Sequence, residues 1–472
     1  MLPSLPTKAV AIAGSLAAAG APLCCKDVTP PPPQVTVAGV SPANGPLSGG
    51  TSVTITGTNF VDVTSLTLGG NEIGNRAVVS ATELRGTTPA STSSGAKDVV
   101  VTSSSHGSGT CTGCFSYVPP PALAAVVAAG LRYVCAVANT GAAYCWGFNT
   151  TGQLGNGSLA NSSVPVAVSG GLTFSALVAG TDHTCALTSS EAAYCWGGNA
   201  FGALGNGSST TSMVPVAVSG GVSFAALTAG SFHTCGLTST GATYCWGANY
   251  LGQLGDGSTT DRSTPATVSG GLSLSAPVAG AYHNCGLTSA GAAYCWGHNY
   301  YGQLGDGSTT NSTTPVAVSG GLSFSTLATG WFHTCGLTSA GTAYCWGRND
   351  IGQLGDGSTT DRAMPVTVSG GLSFSAVAGG YLHSCGLTTT GAAYCWGYNY
   401  FGQLGNGALT NSSIPVAVSE GLSFSVLALG DVHTCGLASA GAVYCWGDNE
   451  HGQLGNGSTI NSSSPVAVSG WP

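Results

Sequence analysis

A unit of fifty residues is repeated seven times between residues 121 and 470. Within it the pattern Cys-Gly-Leu-Thr-x-x-Gly-Ala-x-Tyr-Cys-Trp-Gly recurs with small variations and without insertion or deletion. The second cysteine of the pattern is Cys145, Cys195, Cys245, Cys295, Cys345, Cys395 and Cys445. A constant period of this length, made of short strand-like runs and glycine turns, predicts an architecture in which each repeat packs on its neighbours. Positions that vary inside the constant unit then become candidates for a binding surface.

The charge of the chain is low and unevenly distributed. Charged residues make up 6% of the 472 residues, far below the usual quarter. All three lysines precede the repeats, and the repeat region holds four arginines against twelve acidic residues, so it carries the whole net charge of -8. Because a nucleic-acid binder needs a basic stripe to displace counterions, we expect no nucleic-acid partner.

Residues 1–25 have the pattern of an export signal. Lys8 precedes an apolar run, residues 9–23, which has about the length of a signal-peptide core and is too short to span a bilayer as a helix. Cys24 follows directly, as in a bacterial lipoprotein, and residues 26–34 form a proline-rich linker. We therefore expect a protein that is secreted or held at a bacterial cell surface, with any membrane contact limited to a lipid on Cys24. Plain secretion, and a leader without a targeting role, stay open as alternatives.

The 18 cysteines include one regularly spaced pair in every repeat. In the third repeat, a three-residue hairpin loop with Gly241 at the left-handed position places Cys235 opposite Cys245. An even cysteine count and an export signal favour structural disulfides over free buried thiols, and the ten-residue spacing lacks the pattern of a metal site. The predicted disulfides are Cys135–Cys145, Cys185–Cys195, Cys235–Cys245, Cys285–Cys295, Cys335–Cys345, Cys385–Cys395 and Cys435–Cys445, with a separate local pair, Cys111–Cys114.

Residues 35–118 predict a small β-sandwich ahead of the repeats. Short strand-like runs alternate with Gly, Pro, Asn and Ser turns at the spacing of such a fold. The expected strands are residues 35–40, 52–56, 65–68, 83–87, 98–102 and 115–118. The stretch from Ser41 to Phe60, Ser-Pro-Ala-Asn-Gly-Pro-Leu-Ser-Gly-Gly-Thr-Ser-Val-Thr-Ile-Thr-Gly-Thr-Asn-Phe, resembles the IPT/TIG immunoglobulin-like domain. The resemblance implies a spacer or binding module without catalytic residues.

Residues 119–470 predict a seven-bladed β-propeller. Each repeat has four strand candidates, which in the third repeat are residues 224–227, 233–238, 242–246 and 265–268, and seven such units suit a propeller. The whole chain is therefore expected to be all-β, a seven-bladed β-propeller preceded by a small immunoglobulin-like β-sandwich. Because the repeats begin with a strand at 122–127 and end with one at 465–468, we expect the C-terminal strand to complete the first blade and close the ring.

The repeats also resemble a known family. The patterns Gly-x-x-His-Thr-Cys-Gly-Leu, Tyr-Cys-Trp-Gly-x-Asn and Gly-Gln-Leu-Gly-(Asn/Asp)-Gly are similar to the repeat of the regulator of chromosome condensation family, and all seven units match. The resemblance implies a seven-bladed propeller. That family includes a nuclear guanine nucleotide exchange factor that binds chromatin and a secreted bacterial propeller that inhibits β-lactamases. This chain differs from the nuclear members in its leader, its paired cysteines and its lack of a basic tail.

Histidine recurs before the first cysteine in six repeats, as His183, His233, His283, His333, His383 and His433. We favour a structural hydrogen bond to a turn within each blade over a metal site, since a metal-bound histidine also needs an oriented partner for its second ring nitrogen. The Asp-Gly turns, such as Asp256-Gly257, lack the ligand number of a calcium loop. No nucleophile set, carboxylate pair or phosphate loop stands out, so we expect no enzyme activity, no metal and no cofactor.

Three positions vary while their neighbours stay constant: the pair before the repeated histidine, the residue after Trp-Gly, and the pair before Gly-Gln-Leu. We call them the first, second and third variable positions. All three lie at strand ends that a hairpin brings together, so they should cluster at one end of the propeller. They are rich in the aromatic and charged residues of binding hot spots, whereas ordinary loop drift would favour Ser, Gly and Asn. The predicted binding residues are Phe232, Tyr250, Tyr282, His298, Tyr300, Tyr301, Trp331, Phe332, Arg348, Asp350, Tyr381, Tyr398, Tyr400 and Phe401.

The sequence favours an exported, non-enzymatic and monomeric binding protein whose propeller captures another protein, with a glycan as the alternative ligand. Two other classes of function stay open. One is a regulator related to guanine nucleotide exchange factors, as the nuclear relatives imply. The other is a purely structural protein of the cell surface.

Overall fold

The computed structural model describes residues 33–46, 49–93, 95–118 and 124–471. The chain divides into two compact units, Met1–Pro120 and Pro121–Pro472. The predicted leader, Cys24 included, lies outside the described residues. In the part of the chain that the structure describes, no helix has the length and apolar character needed to cross a membrane.

The first unit is a β-sandwich of two sheets. Its strands are β1 (Thr36–Ser41), β2 (Asn44–Pro46), β3 (Ser52–Thr58), β4 (Val63–Leu68), β5 (Asn71–Glu72), β6 (Gly74–Ser80), β7 (Glu83–Thr87), β8 (Gly95–Ser103) and β9 (Gly107–Val118). One sheet has the order β1-β3-β7-β6 and the other β2-β9-β8-β4-β5. Ile55 and Leu84 of the first sheet share a buried core with Leu66, Val101 and Phe115 of the second. Buried residues alternate with more exposed ones along strands that supply this core, such as β3 and β7.

The six strands predicted in this unit are confirmed, with shifts at their ends. Three further strands, β2, β5 and β6, had no sequence signal. Strand β6 pairs with β7 at the edge of its sheet, and all seven of its residues are exposed, so it lacks the alternation that reveals a half-buried strand.

The second unit contains seven four-stranded antiparallel sheets, which we number as blades 1 to 7 in chain order. Blade 1 has β10 (Ala124–Ala129), β11 (Tyr133–Ala138), β12 (Ala143–Gly147) and β13 (Ser162–Ala167). Blade 2 has β14 (Ala176–Ala179), β15 (His183–Leu187), β16 (Ala193–Gly197) and β17 (Ser212–Ala217). Blade 3 has β18 (Ala226–Ala229), β19 (His233–Leu237), β20 (Thr243–Gly247) and β21 (Arg262–Thr267). Blade 4 has β22 (Val278–Ala279), β23 (His283–Leu287), β24 (Ala293–Gly297) and β25 (Ser312–Ala317).

The remaining blades repeat this arrangement. Blade 5 has β26 (Thr326–Thr329), β27 (His333–Leu337), β28 (Ala343–Gly347) and β29 (Arg362–Thr367). Blade 6 has β30 (Phe374–Gly379), β31 (His383–Thr388), β32 (Ala393–Gly397) and β33 (Ser412–Ala417). Blade 7 has β34 (Phe424–Leu429), β35 (His433–Ala438), β36 (Val443–Gly447) and β37 (Ser462–Ala467), and a short 3-10 helix, Ser419–Gly421, precedes it. The predicted all-β architecture is confirmed.

The two middle strands of each blade have the register that the hairpin loop predicts. In blade 3, Cys235 pairs with Cys245, Gly236 with Tyr244 and Leu237 with Thr243. The two cysteines form a disulfide whose Cα atoms are 4.1 Å apart, and the corresponding pair is bonded in each of the other six blades. Cys111 and Cys114 of the sandwich are paired as well. The fourth strand then adds to the edge formed by the third.

In six of the seven blades the disulfide shares a buried cluster with a tryptophan of the next blade. The Cys185–Cys195 pair and Leu187 of blade 2 share a buried cluster with Phe224 and Trp246 of blade 3. The indole Nε1 of each buried tryptophan donates a hydrogen bond of 2.9 to 3.1 Å to a backbone carbonyl of the preceding blade. The pairs are Trp146–Gln453, Trp196–Gln153, Trp246–Ala203, Trp296–Gln253, Trp346–Gln303, Trp396–Gln353 and Trp446–Gln403.

The ring closes in a different way from the one expected. The prediction that the C-terminal strand completes blade 1 is wrong, because every blade consists of four strands that are consecutive in the chain. The outer strand follows its own hairpin in each repeat, so the last one belongs to blade 7. The seam between blades 7 and 1 is closed by packing instead: Trp146 bonds to Gln453, Val127 and Val134 join the buried cluster of blade 7, and Trp471 contacts Trp146 edge to face at 6.0 Å.

Candidate binding face at one end of the propeller

The variable positions come together because of the antiparallel hairpin. In blade 4, Tyr282 directly precedes β23 and His298 directly follows β24, and the backbone N–H of His298 donates to the carbonyl of Tyr282 at 2.9 Å. The same bond joins Arg348 to Phe332 in blade 5 and Tyr398 to Leu382 in blade 6. The first and second variable positions are therefore held side by side by backbone geometry alone.

The third variable position is fixed by two buried polar side chains, an asparagine present in all seven repeats and a glutamine present in six. In blade 4, the Asn299 Oδ1 atom accepts from the Leu304 N–H at 2.9 Å, and its Nδ2 donates to the carbonyl of Thr310 at 3.0 Å. Gln303 Oε1 accepts from the backbone N–H of Tyr301 at 3.0 Å. These two side chains thus hold the loop in one conformation, while the residues at the third variable position differ from blade to blade.

The aromatic residues of blades 3 to 6 form one connected surface. Ring centroids of Phe232 and Tyr282 are 6.5 Å apart, those of Tyr282 and Phe332 are 6.2 Å apart and stacked, and those of Phe332 and Tyr381 are 6.4 Å apart. Trp331 meets Tyr381 edge to face at 4.3 Å. Tyr250 joins the group through Tyr282, His298 and Tyr301 through Phe332, and Tyr300 through Tyr301.

The remaining predicted aromatic residues extend this surface at its blade 6 edge. In blade 6, Tyr398 stacks on Tyr400 at 6.5 Å, and both contact Phe401. Tyr381, Tyr398 and Phe401 line the same cavity. All fourteen predicted residues therefore lie on one surface, which we call the aromatic face. Its most exposed rings are Tyr300, Tyr400 and Tyr250, at 70%, 67% and 47%.

An arginine is held in the middle of the aromatic face. The guanidinium carbon of Arg348 lies 5.2 Å from the ring centre of Tyr301 and 5.8 Å from that of Phe332, within cation–π range. Its Nη2 also pairs with Asp350 Oδ2 at 2.7 Å. Burial favours the neutral carboxyl group, but the hydrogen bonds from Arg348 and Gln353 outweigh it and lower the pKa of Asp350 below its usual value. The charged pair and its aromatic support are thus formed within the protein itself.

One aromatic residue of this face escaped the sequence pattern. Phe201 of blade 2 contacts Phe232 at 5.5 Å and Tyr250 at 6.2 Å. It occupies the third variable position, but the constant motif after it reads Gly-Ala-Leu instead of Gly-Gln-Leu, with Ala203 where the other repeats have Gln. Aligning the repeats by their tryptophan would have found it.

The recurring histidines are directed to the next blade and not to a turn of their own blade. In five of the six, Nε2 lies 2.8 to 3.1 Å from a hydroxyl or amide oxygen of that blade, for example from Thr334 Oγ1 for His283. The hydroxyl of Thr334 in turn donates to the carbonyl of Gln303 at 2.9 Å. In blade 1, Tyr133 replaces histidine and its hydroxyl contacts Thr184 of blade 2 at 3.0 Å. The expected bond within the blade is therefore replaced by a bond between blades.

The histidines are neutral at physiological pH because they are completely buried. Burial lowers the pKa of His183, His383 and His433 to about 3 and that of His233 and His333 to about 4, and it lowers the pKa of His283 well below its usual value. Among the described residues, no three His, Cys, Asp or Glu side chains are grouped so as to hold a metal ion. The Asp256 carboxylate is engaged by Ser258, Arg262 and Asn249, as a structural turn requires.

Comparison with known proteins follows the same division of the chain. The family model of the regulator of chromosome condensation (RCC1) repeat matches residues 140–187, 191–237, 240–287, 290–337, 340–387, 390–437 and 440–472. The chain belongs to the RCC1 repeat family. The family model of the IPT/TIG domain matches residues 36–117. Among curated protein sequences, none matches this RCC1-repeat chain.

Solved structures agree with the RCC1 fold. The crystal structure of human WBSCR16 has a TM-score of 0.64 and 21% identity, and the match covers 70% of this chain and 94% of that one. Prp20p from Saccharomyces cerevisiae, studied with its binding properties to Gsp1p and histones, has a TM-score of 0.62 and 22% identity over 74% of this chain and 87% of its own. Yeast RCC1 (Prp20) bound to Kap60 has a TM-score of 0.62 and 21% identity, with coverage of 73% and 85%. At these identities the likeness establishes the propeller fold alone.

Proposed function

We propose that this protein is an exported, non-enzymatic binding protein whose aromatic face captures another protein. The observation that carries the proposal is the continuous surface from Phe201 to Phe401, which presents partly exposed Tyr, Trp, Phe and Arg side chains on loops of constant backbone. These residue types dominate the energetics of protein interfaces, and rigid support lowers the entropy lost on binding. A glycan is the alternative ligand.

Export is supported by the cysteines of the propeller. One buried disulfide per blade is what proteins of oxidising compartments use, whereas cytosolic thiols are kept reduced. The leader pattern of residues 1–25 points the same way.

A binding assay with matched variants tests the proposal. We expect the triple variant Trp331→Ala/Tyr398→Ala/Tyr400→Ala to lose the capture of proteins from the surrounding medium and cell surface, with an unchanged melting temperature. These side chains contact other residues of the face and belong to none of the buried clusters of the blades. The control variant Thr240→Ala/Thr390→Ala changes exposed hairpin turns at the opposite end of the blades and should capture as the wild type does. Equal capture by the wild type and the triple variant would contradict the proposal.

Two other functions give different outcomes in the same experiments. The fold is shared with Prp20p, which was studied with its binding to Gsp1p and histones, so an exchange-factor-like regulator would release nucleotide from a small GTPase on mixing. A purely structural surface protein would show no face-dependent partner at all.

A further inference from the structure

Next to the aromatic face, at the seam of the ring, lies a cavity of about 350 Å³. Blade 6 lines it with Tyr381, Tyr398 and Phe401. Blade 7 contributes Asp431, Asp448 and Glu450, and blade 1 contributes Arg132. One side of the cavity is therefore aromatic and the other is acidic, with three carboxylates against one guanidinium. We call it the seam pocket.

The carboxylates of the seam pocket are only partly satisfied by the protein. Asp448 is 4% exposed and accepts a hydrogen bond of 2.6 Å from Gln453 Nε2. The Oδ1 atom of Asp431 is buried and has no hydrogen-bond partner among the described residues. Arg132 does not neutralise it by direct pairing, since Arg132 Nη1 is directed to His451 Nε2 at 3.1 Å. A buried acceptor without a partner is costly, so a donor with positive charge is the group that this pocket would stabilise most.

The pKa of Asp431 reflects its burial in the seam pocket. Burial is the main cause that raises its pKa to about 6; Arg132 counteracts this, and the nearby charge of Asp448 adds to it. A cation placed between these carboxylates would offset part of the desolvation cost and reduce the repulsion between them.

The protein already holds one cation by this chemistry on the same face. The Arg348 guanidinium lies over two rings and pairs with one carboxylate, Asp350. The seam pocket offers the same kinds of group, with more carboxylates and three aromatic side chains.

We propose that the seam pocket binds a lysine or arginine side chain of the protein partner. The alkyl chain packs on Tyr381, Tyr398 and Phe401, and the ammonium or guanidinium group donates to Asp431, with Asp448 and Glu450 adding to the field. This inference rests on the proposed function, because it specifies the chemistry of the partner at one edge of the aromatic face. It predicts that the partner presents a basic residue to an acidic, aromatic site.

Short peptides that differ only in one charge test the pocket without the partner. We expect Ac-Gly-Lys-Gly-NH2 to bind the full chain in ligand-observed NMR, whereas the same peptide with acetyl-lysine binds about tenfold more weakly or not at all, because it lacks the charge. Asp431→Asn should lower the affinity for the lysine peptide by about tenfold. Glu450→Gln should lower it by a smaller factor because Glu450 is exposed. The control variant Glu191→Gln removes a negative charge from an exposed hairpin turn in blade 2 and should leave binding unchanged.

Equal affinity for the lysine and acetyl-lysine peptides would overturn the proposal, and this comparison needs no variant. Binding of methyl β-glucoside in competition with the peptide, with no preference for the charged lysine, would also overturn it and identify a sugar site. The outcome is independent of the capture assay: equal capture by the wild type and the triple variant, together with charge-dependent peptide binding, would refute the proposed function and leave the pocket standing. Capture that the triple variant loses, without charge-dependent peptide binding, would support the proposed function and refute the seam pocket.

Discussion

At the scale of single residues, the buried histidines show how the repeat joins its copies. The Thr334 hydroxyl uses its hydrogen toward the carbonyl of Gln303, so the His283 ring must donate from Nε2. The position corresponding to Thr334 in blade 1 is Val134, and the Nε2 atom of the facing histidine, His433, has no hydrogen-bond partner among the described residues. The hydrogen bond between blades is therefore formed at His283 and missing at His433, at the seam of the ring.

Two separate substitutions, valine for Thr334 and threonine for Val134, should change the free energy of unfolding in opposite directions. Thr334→Val keeps the shape but leaves His283 Nε2 and the Gln303 carbonyl with fewer partners, so we expect the free energy of unfolding to fall by about 1 to 3 kcal/mol. Val134→Thr supplies the missing oxygen to His433 and should raise it by about 1 kcal/mol. Urea denaturation of both variants measures this, and a loss of stability in Val134→Thr would show that the seam is packed for valine.

At the scale of elements, a disulfide joins the two middle strands of each blade, and aromatic residues of the next blade pack on that blade. The disulfide constrains the unfolded chain, and its sulfur atoms also fill the space beneath the next tryptophan. The spacing of the cysteines therefore serves both the hairpin and the contact between blades.

Removing one disulfide tests the constraint. We expect Cys335→Ala/Cys345→Ala to lower the free energy of unfolding of the propeller by about 2 to 3 kcal/mol, the value for a closed loop of this length in the chain-entropy model. Guanidinium denaturation under non-reducing conditions gives the value. Cys111→Ala/Cys114→Ala, in the sandwich unit, is the control and should leave the propeller transition in place. An unchanged propeller transition in Cys335→Ala/Cys345→Ala would refute the predicted contribution.

The sequence predicted what depends on local spacing and could not predict what depends on the neighbouring blade. The register of Cys235 with Cys245 follows from one loop length, and the clustering of the variable positions follows from that register. The partner of His283 is 51 residues away, and Arg132 and Asp431 of the seam pocket belong to opposite ends of the repeat array, so no local pattern relates them. The sequence also did not show which hairpin each outer strand joins, and for this reason the predicted closure of the ring was wrong.

At the scale of the whole molecule, the buried histidines act together on stability. Five of them have folded-state pKa values of about 3 to 4, and burial lowers the pKa of His283 as well, so all six lie below the value of about 6.5 expected in the unfolded chain. The unfolded state therefore binds more protons in this interval, so stability is complete above about pH 6.5 and falls as the pH is lowered. Asp182 and Asp431 contribute to the pH dependence of stability with the opposite sign, since burial raises the pKa of each to about 6. The six histidines outnumber these two carboxyl groups.

We therefore expect the melting temperature of the propeller to fall steadily between about pH 6.5 and pH 4. Differential scanning calorimetry across this range checks the trend. His333→Gln removes one of the titrating groups and should make the decline shallower, even if it lowers stability at pH 7. A melting temperature that stays constant down to pH 4 would refute the assignment of these histidines as buried and neutral.

The constant fifty-residue step has a further consequence for recognition. Because the backbone of every loop on the aromatic face has the same length, and its constant asparagine makes the same hydrogen bonds, substitutions at the variable positions need not disturb the blades beneath them. A lineage carrying this scaffold could acquire a new target by point mutation alone, without remodelling any loop.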